Sequence, residues 1–204
     1  MSDAEPGDPD TIGPAELSLQ NGGNMVSLEH SKAGYWTDYL LYALVICGLA
    51  LTLSVLAPRH GWPVMVLLAA LGLAAWSLAE YLMHRFVLHG LQPFKSWHAR
   101  HHDRPAALIS APTVLSASLI TVLVFVPAVI VGSLWPALSL TLGFTVGYFA
   151  YALCHHATHH WRANRCWFKE RKRWHSIHHR RGGAECYGVT SNFWDRVFGT
   201  GPKR

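Results

Sequence analysis

The chain has 204 residues, of which half are apolar and only 14% are charged. So few charges on so much apolar sequence exclude a disordered chain and argue against an ordinary water-soluble domain. The net charge of +5 is uneven, because residues 1–38 carry seven acidic residues and one lysine, whereas residues 85–204 carry fifteen lysines and arginines. The four cysteines show no C-x-x-C pair, so no disulfide framework is expected. A membrane protein is the predicted class.

Residues 1–34 are rich in Gly, Pro, Ser and acidic residues and show no apolar periodicity, which predicts a disordered, acidic N-terminal tail. They lack the positive start and short apolar run of a secretory signal peptide. We expect residues 35–204 to form a single membrane domain.

Four apolar stretches follow, each suited to cross a hydrocarbon core about 30 Å thick as one helix. The uncharged run between Arg104 and Arg162 has 57 residues. As one helix it would be about 85 Å long at ~1.5 Å per residue, so it must contain two spans, divided at residues 132–136. Pro127 is expected to kink the first of these two. The predicted spans are 39–57, 62–83, 112–131 and 137–154.

Four spans leave both ends of the chain on the same side of the membrane. Residues 84–106 and 155–204 carry nearly all the basic residues, whereas the opposite side carries only Arg59. The positive-inside tendency therefore places the two basic regions and both termini in the cytoplasm. The predicted fold is an all-α integral membrane protein with four transmembrane helices and a cytoplasmic helical cap, formed by 84–106 and 155–204. Basic residues that flank apolar spans indicate a membrane rather than a nucleic acid.

Histidines mark the predicted cytoplasmic face. Twelve of the fourteen lie between residues 84 and 179, in four closely spaced groups. An isolated histidine at a helix end is ordinarily a hydrogen-bonding residue, but four groups on one face predict a metal centre. The groups are His84 and His89; His98, His101 and His102; His155, His156, His159 and His160; and His175, His178 and His179.

The spacing within each group indicates which rings share a metal, at ~100° per helical residue. His155 and His159 differ by about 40°, so they are expected to bind one ion. The same spacing holds for His156 and His160, which form an alternative register.

The side chains of other pairs are expected to point in different directions and so to bind different ions. His84 and His89 diverge by about 140° and His101 and His102 by about 100°, whereas His98 can pair with either His101 or His102. This division, with more imidazoles than one four- to six-coordinate ion uses, predicts two neighbouring metal ions.

The residues alone leave the metal open. Imidazole ligands suit zinc, copper, nickel or iron. The zinc-protease motif H-E-x-x-H is absent, and so is a carboxylate-rich di-iron pattern, because Glu80 is the only acidic residue in the spans.

The histidine groups resemble those of the fatty acid hydroxylase/sterol desaturase superfamily of membrane di-iron enzymes, and specifically its fatty acid 2-hydroxylase branch. The matching segments are residues 80–89, 98–102, 151–159, 175–179 and 188–200. The likeness covers about residues 35–200.

This resemblance implies a ligand set for two iron ions, with zinc able to replace iron in the purified protein. No catalytic residue is implied beyond the ligands. The implied ligands are His84, His89, His98, His101, His102, His155, His159, His175, His178 and His179. The residues expected to be additional ligands or to support them are His156, His160, Tyr151, Trp194 and Asp195.

The resemblance also implies the activity: hydroxylation of a lipid C–H bond, with a fatty acyl chain as the expected substrate, using O₂ and electrons from a separate protein. A sterol or lipid desaturase or a carotenoid hydroxylase of the same superfamily would use the same ligands. A membrane metal-binding protein without turnover is an alternative of another class.

Overall fold

The computed structural model describes residues 29–180 and 182–202, whose regular elements are all helices, joined by short loops and one isolated β-bridge between Glu29 and Ile109. Four helices are long and apolar enough to cross a membrane, which confirms the predicted all-α fold and makes the chain a multi-pass membrane protein. These are Lys32–Leu56, Arg59–Leu88, Thr113–Val131 and Leu134–His160. The predicted tail lies outside the described residues except for 29–34, where Ser31 Oγ accepts the Gly34 N–H at 3.1 Å and caps the first helix.

The helices are labelled in chain order. The first two spans are α1 (Lys32–Leu56) and α2 (Trp62–Leu82), and α2 continues as a π-helix over Met83–Leu88. The third span consists of two α-helices joined by a π-helical turn. The remaining elements are α3 (Phe94–Asp103), α4 (Thr113–Ile120), the π turn (Thr121–Phe125), α5 (Val126–Val131), α6 (Leu134–His160), α7 (Cys166–Arg180) and α8 (Phe193–Val197).

The third span deviates from regular α-helix just before Pro127, at the π turn Thr121–Phe125. Proline has no N–H to donate to the carbonyl of residue 123, and its ring crowds that carbonyl. A π turn accommodates both effects. The span then ends at Gly132, at the predicted break.

Helices α2 and α6 approach each other very closely. A Cβ placed on Gly143 would lie 1.8 Å from the carbonyl oxygen of Ala69, and one on Gly72 would lie 2.1 Å from that of Leu140. Only glycine permits this crossing. It fixes the ends of both helices, where the histidines lie.

The outer surface of the bundle is apolar. Large side chains such as Leu51, Val55 and Val66 are about two-thirds exposed, at 66%, 67% and 67%. A soluble protein does not tolerate so large an apolar surface, whereas lipid acyl chains cover it without cost.

Candidate metal centre

Ten imidazoles converge at one end of the four spans, in two groups of five. Within each group, one ring nitrogen from every histidine lies within 4.8 Å of those from the others. The first group is His84, His89, His98, His102 and His178; the second group is His101, His155, His159, His175 and His179. The groups adjoin, since the rings of His102 and His179 stack with centroids 4.3 Å apart.

The membership of the groups follows from helix geometry at most positions. On α3 and α7, histidines four residues apart share a group, and the two adjacent pairs are divided between groups. His155 and His159 on α6 also share a group, as their spacing predicts.

The expected separation of His84 from His89 is wrong, because both belong to the first group. The residues between them form the π-helical turn Met83–Leu88. In a π-helix the hydrogen bonds join residues five apart, so residues with that spacing lie on the same side. An α-helix would have turned His89 away.

Glycine makes room for His89. Gly183 has φ +71°, and a Cβ on it would lie 2.0 Å from Cε1 of His89. The ring therefore packs directly against the backbone of the segment that follows α7.

Hydrogen bonding does not explain all the contacts between ring nitrogens in the first group. His98 Nε2 lies 3.0 Å from His84 Nε2 and 3.1 Å from His102 Nε2. His84 Nδ1 lies 2.5 Å from the carbonyl oxygen of Tyr187, which only accepts, so Nδ1 carries the hydrogen and the neutral ring has a lone pair on Nε2. His98 Nε2 carries either one hydrogen or one lone pair, so it can make a good hydrogen bond to only one of its two neighbours.

A bound cation removes this conflict. Two nitrogens that bind one metal at about 2.1 Å and about 90° to each other lie about 3.0 Å apart, which fits the first group. In the second group, both ring nitrogens of His101 and Nε2 of His155 are buried without a hydrogen-bond partner among the described residues. Each group therefore fits one metal ion.

Burial keeps the imidazoles neutral, the form that binds metals. Burial, together with the smaller effect of neighbouring imidazoles, lowers the pKa of His89 to about 4, of His179 to about 3 and of His101 to about 2. Burial also lowers the pKa of His178, which is fully buried. These rings need not lose a proton to bind metal at neutral pH.

Backbone carbonyls orient two rings of the first group. His178 Nδ1 donates to the carbonyl of Glu185 at 2.8 Å, and His84 Nδ1 donates to that of Tyr187. Neither oxygen is visible in a residue pattern, so the sequence could not have predicted these contacts.

The residues expected to support the ligands occupy different places. Tyr151 stacks on His155, with centroids 5.8 Å apart. Trp194 Nε1 donates to Ser77 Oγ at 3.1 Å. Asp195 accepts the N–H groups of Tyr187 and Gly188 rather than a histidine nitrogen.

His156 and His160 lie outside both groups. Their rings stack on each other with centroids 4.4 Å apart, and His156 Nδ1 lies 3.1 Å from the hydroxyl oxygen of Tyr35. Of the two alternative pairs on α6, His155 and His159 therefore belong to the second group.

Comparisons with known proteins all find fatty acid hydroxylases. The family model for fatty acid hydroxylases matches residues 69–200. Dihydroceramide fatty acyl 2-hydroxylase FAH2 of Arabidopsis thaliana is 31% identical over 184 residues, which cover 84% of this chain and 75% of that protein. Ceramide very long chain fatty acid hydroxylase scs7 of Schizosaccharomyces pombe is 34% identical over 146 residues, which cover 64% of this chain and 41% of that protein.

A solved structure shares the fold. Full-length scs7p, of which only the hydroxylase domain is visible, aligns with a TM-score of 0.70 at 23% identity, covering 86% of this chain and 68% of that one. The arrangement of the helices is therefore common to both.

Proposed function

The chain belongs to the fatty acid hydroxylase family, and from this premise we propose that it hydroxylates a C–H bond of a membrane lipid, most simply in a fatty acyl chain, with O₂ and two iron ions. The observation that carries the proposal is the pair of adjacent five-imidazole groups at one end of four apolar helices. The names of the two relatives, a fatty acyl 2-hydroxylase and a very long chain fatty acid hydroxylase, favour an acyl chain as the substrate.

The first and second groups would each hold one iron ion. A pair of iron ions supplies the reductive activation of O₂, in which R–H, O₂, two electrons and two protons give R–OH and water. Imidazoles suit iron but also zinc, so purified protein can contain either metal.

The chain's own residues prepare the site. The buried rings of His84, His98 and His178 exclude water from the first group. The apolar surfaces of the spans give a lipid chain a lateral route to the adjoining groups. The neutral ligands add no negative charge, so the protein does not neutralise the two cations.

Three further expectations belong to the same proposal. Residues 35–204 form the hydroxylase domain, the basic side of the spans faces the cytoplasm, and a separate cytoplasmic protein donates the electrons. The basic residues of α7 suit either an acidic donor or anionic lipid head groups.

The test compares two histidine variants. His178 is fully buried in the first group, whereas His160 is exposed and outside both groups. We expect His178→Ala to lower the yield of hydroxylated acyl chains by more than about 100-fold, because removing a ligand should cost at least as much as removing its supporting contacts. His160→Ala should leave the yield within about 2-fold of wild type. The measurement is mass spectrometry of lipids from expressing cells, together with metal content per purified chain.

Near-normal product from His178→Ala would contradict the ligand assignment. Accumulation of unsaturated rather than hydroxylated lipid in the wild type would replace the hydroxylase by a desaturase. Two bound metals without any O₂-dependent lipid product would favour a metal-binding protein without turnover.

A further inference from the structure

The segment between α7 and α8 connects the metal centre to two buried carboxylates. We call residues 185–190 the carbonyl loop, because its carbonyl oxygens at Glu185 and Tyr187 accept hydrogen bonds from His178 and His84. Both histidines belong to the first group. The orientation of these two rings therefore depends on where the loop lies.

Asp195 fixes the middle of the carbonyl loop. Its side chain is fully buried, Oδ1 accepts the Tyr187 N–H at 2.9 Å and Oδ2 accepts the Gly188 N–H at 2.8 Å. The Gly188 N–H and the Tyr187 carbonyl form one peptide group. A single peptide unit thus joins the Asp195 carboxylate on one side to the His84 ring on the other.

Glu80 fixes the far end of the loop. It is 3% exposed, and its Oε1 accepts the N–H groups of Val189 at 2.7 Å and Thr190 at 2.9 Å. Its Oε2 accepts the Thr190 hydroxyl. Because Glu80 lies on α2, one turn before His84, the loop is attached to the helix that supplies this histidine.

Three histidines of the second group lack this support within the described part of the chain. The Nδ1 atoms of His101, His175 and His179 are buried without a hydrogen-bond partner among the described residues. The histidines that donate to loop carbonyls, His84 and His178, both belong to the first group, whereas the Val189 carbonyl accepts from the thiol of Cys154. Any effect of loosening the loop should therefore be confined to one of the two sites.

We propose that Glu80 and Asp195 are positioning residues that set the metal affinity of the first group through the carbonyl loop, and leave that of the second group unchanged. The proposal rests on the proposed function, because it takes the two groups to be metal sites. Burying two carboxylates is costly unless each is fully hydrogen-bonded. Here each carboxylate oxygen accepts at least one hydrogen bond from the carbonyl loop, and Asp195 also accepts one from the Thr200 hydroxyl.

The two carboxylates should respond differently to amide substitution. Both oxygens of Asp195 accept backbone N–H groups, which cannot reverse, so the NH₂ of Asp195→Asn must face a donor in either orientation. In Glu80 a single oxygen accepts both backbone N–H groups and the other meets only a hydroxyl. That hydroxyl can reverse and accept from the NH₂ of Glu80→Gln.

The experiment measures zinc retained by the full-length purified protein against increasing concentrations of a chelator. We expect wild type to release metal in two steps, which His84→Ala and His175→Ala assign to the first and second groups. Asp195→Asn and Glu80→Ala should weaken the first-group step by about 10–100-fold and leave the second-group step unchanged. Glu80→Gln and the remote control His160→Ala should match wild type.

Equal weakening of both steps, or no change in Asp195→Asn, would overturn the proposal. The same holds if Glu80→Gln loses as much affinity as Glu80→Ala, since the carboxylate would then not act through the hydrogen bonds described. A failure of the metal centre itself looks different: His84→Ala would retain both steps, or wild type would retain no zinc.

Discussion

At the scale of single residues, the contact between Gly183 and His89 shows how closely the backbone surrounds the clustered histidines. Gly182 and Gly183 both have positive φ, +62° and +71°, which a side chain disfavours. A Cβ on Gly182 would meet nothing within 4 Å, whereas one on Gly183 would overlap the ring of His89. Alanine at Gly182 would therefore introduce backbone strain alone, whereas alanine at Gly183 would also displace the ring of His89.

We predict that Gly183→Ala weakens metal binding by the first group by about 10-fold or more, because the ring of His89 must move. Gly182→Ala should lower stability by a similar strain of roughly 1–2 kcal/mol but retain both metals. Metal content per chain and the melting temperature of both variants measure this difference. If the two variants lose metal equally, strain rather than displacement is the cause.

At the scale of elements, the crossing of α2 and α6 positions histidines of both groups. His84 follows α2 and His155 lies near the end of α6, so the distance between the two groups depends on how closely these helices pack. The carbonyl oxygen of Ala69 occupies the space of a Cβ on Gly143. In contrast, Gly48 on α1 has nothing within 4 Å of its Cβ position.

Gly143→Ala is expected to force α2 and α6 apart. The overlap involves backbone, which cannot turn away as a side chain can, so the variant should be destabilised by roughly 1–3 kcal/mol and bind metal more weakly. Gly48→Ala should be neutral or more stable by about 0.5–1 kcal/mol, since alanine favours a helix. Thermal unfolding in detergent compares them. Equal stability of the two variants would mean that the crossing tolerates separation.

The sequence predicted where the helices lie, but not where a helix changes from α to π geometry. Long uncharged runs give the four spans, and four-residue spacings pair His155 with His159 correctly. The pairing of His84 with His89 was missed because no residue in Met83–Leu88 requires a π-helix. In the folded chain both rings contact histidines of other segments, and these contacts cannot be seen in a local sequence pattern. Glu80 was likewise recognised as a motif residue, but its partners lie more than a hundred residues away.

At the scale of the whole molecule, the metal centre lies at the boundary of the hydrocarbon core. From Trp62 to His84 the second span rises about 33 Å, and from Leu134 to His155 the fourth rises about 32 Å, at ~1.5 Å per residue. Both distances slightly exceed a core of about 30 Å. Two independent helices thus carry their histidines to the same level, which the proposed acyl substrate and the proposed electron donor could both reach.

A cytoplasmic donor could pass electrons to the candidate metal centre only if the clustered histidines lie on the cytoplasmic side of the membrane. Cys166, at the start of α7, is exposed, and His60, between the first two spans, is exposed at the opposite end. In a Cys47→Ala background, a membrane-impermeant maleimide should label Cys166 only after cell lysis. With Cys166→Ala added, His60→Cys should be labelled in intact cells. Labelling of Cys166 in intact cells would place the histidines outside the cytoplasm and contradict the positive-inside assignment. Electrons would then have to come from a donor on that side.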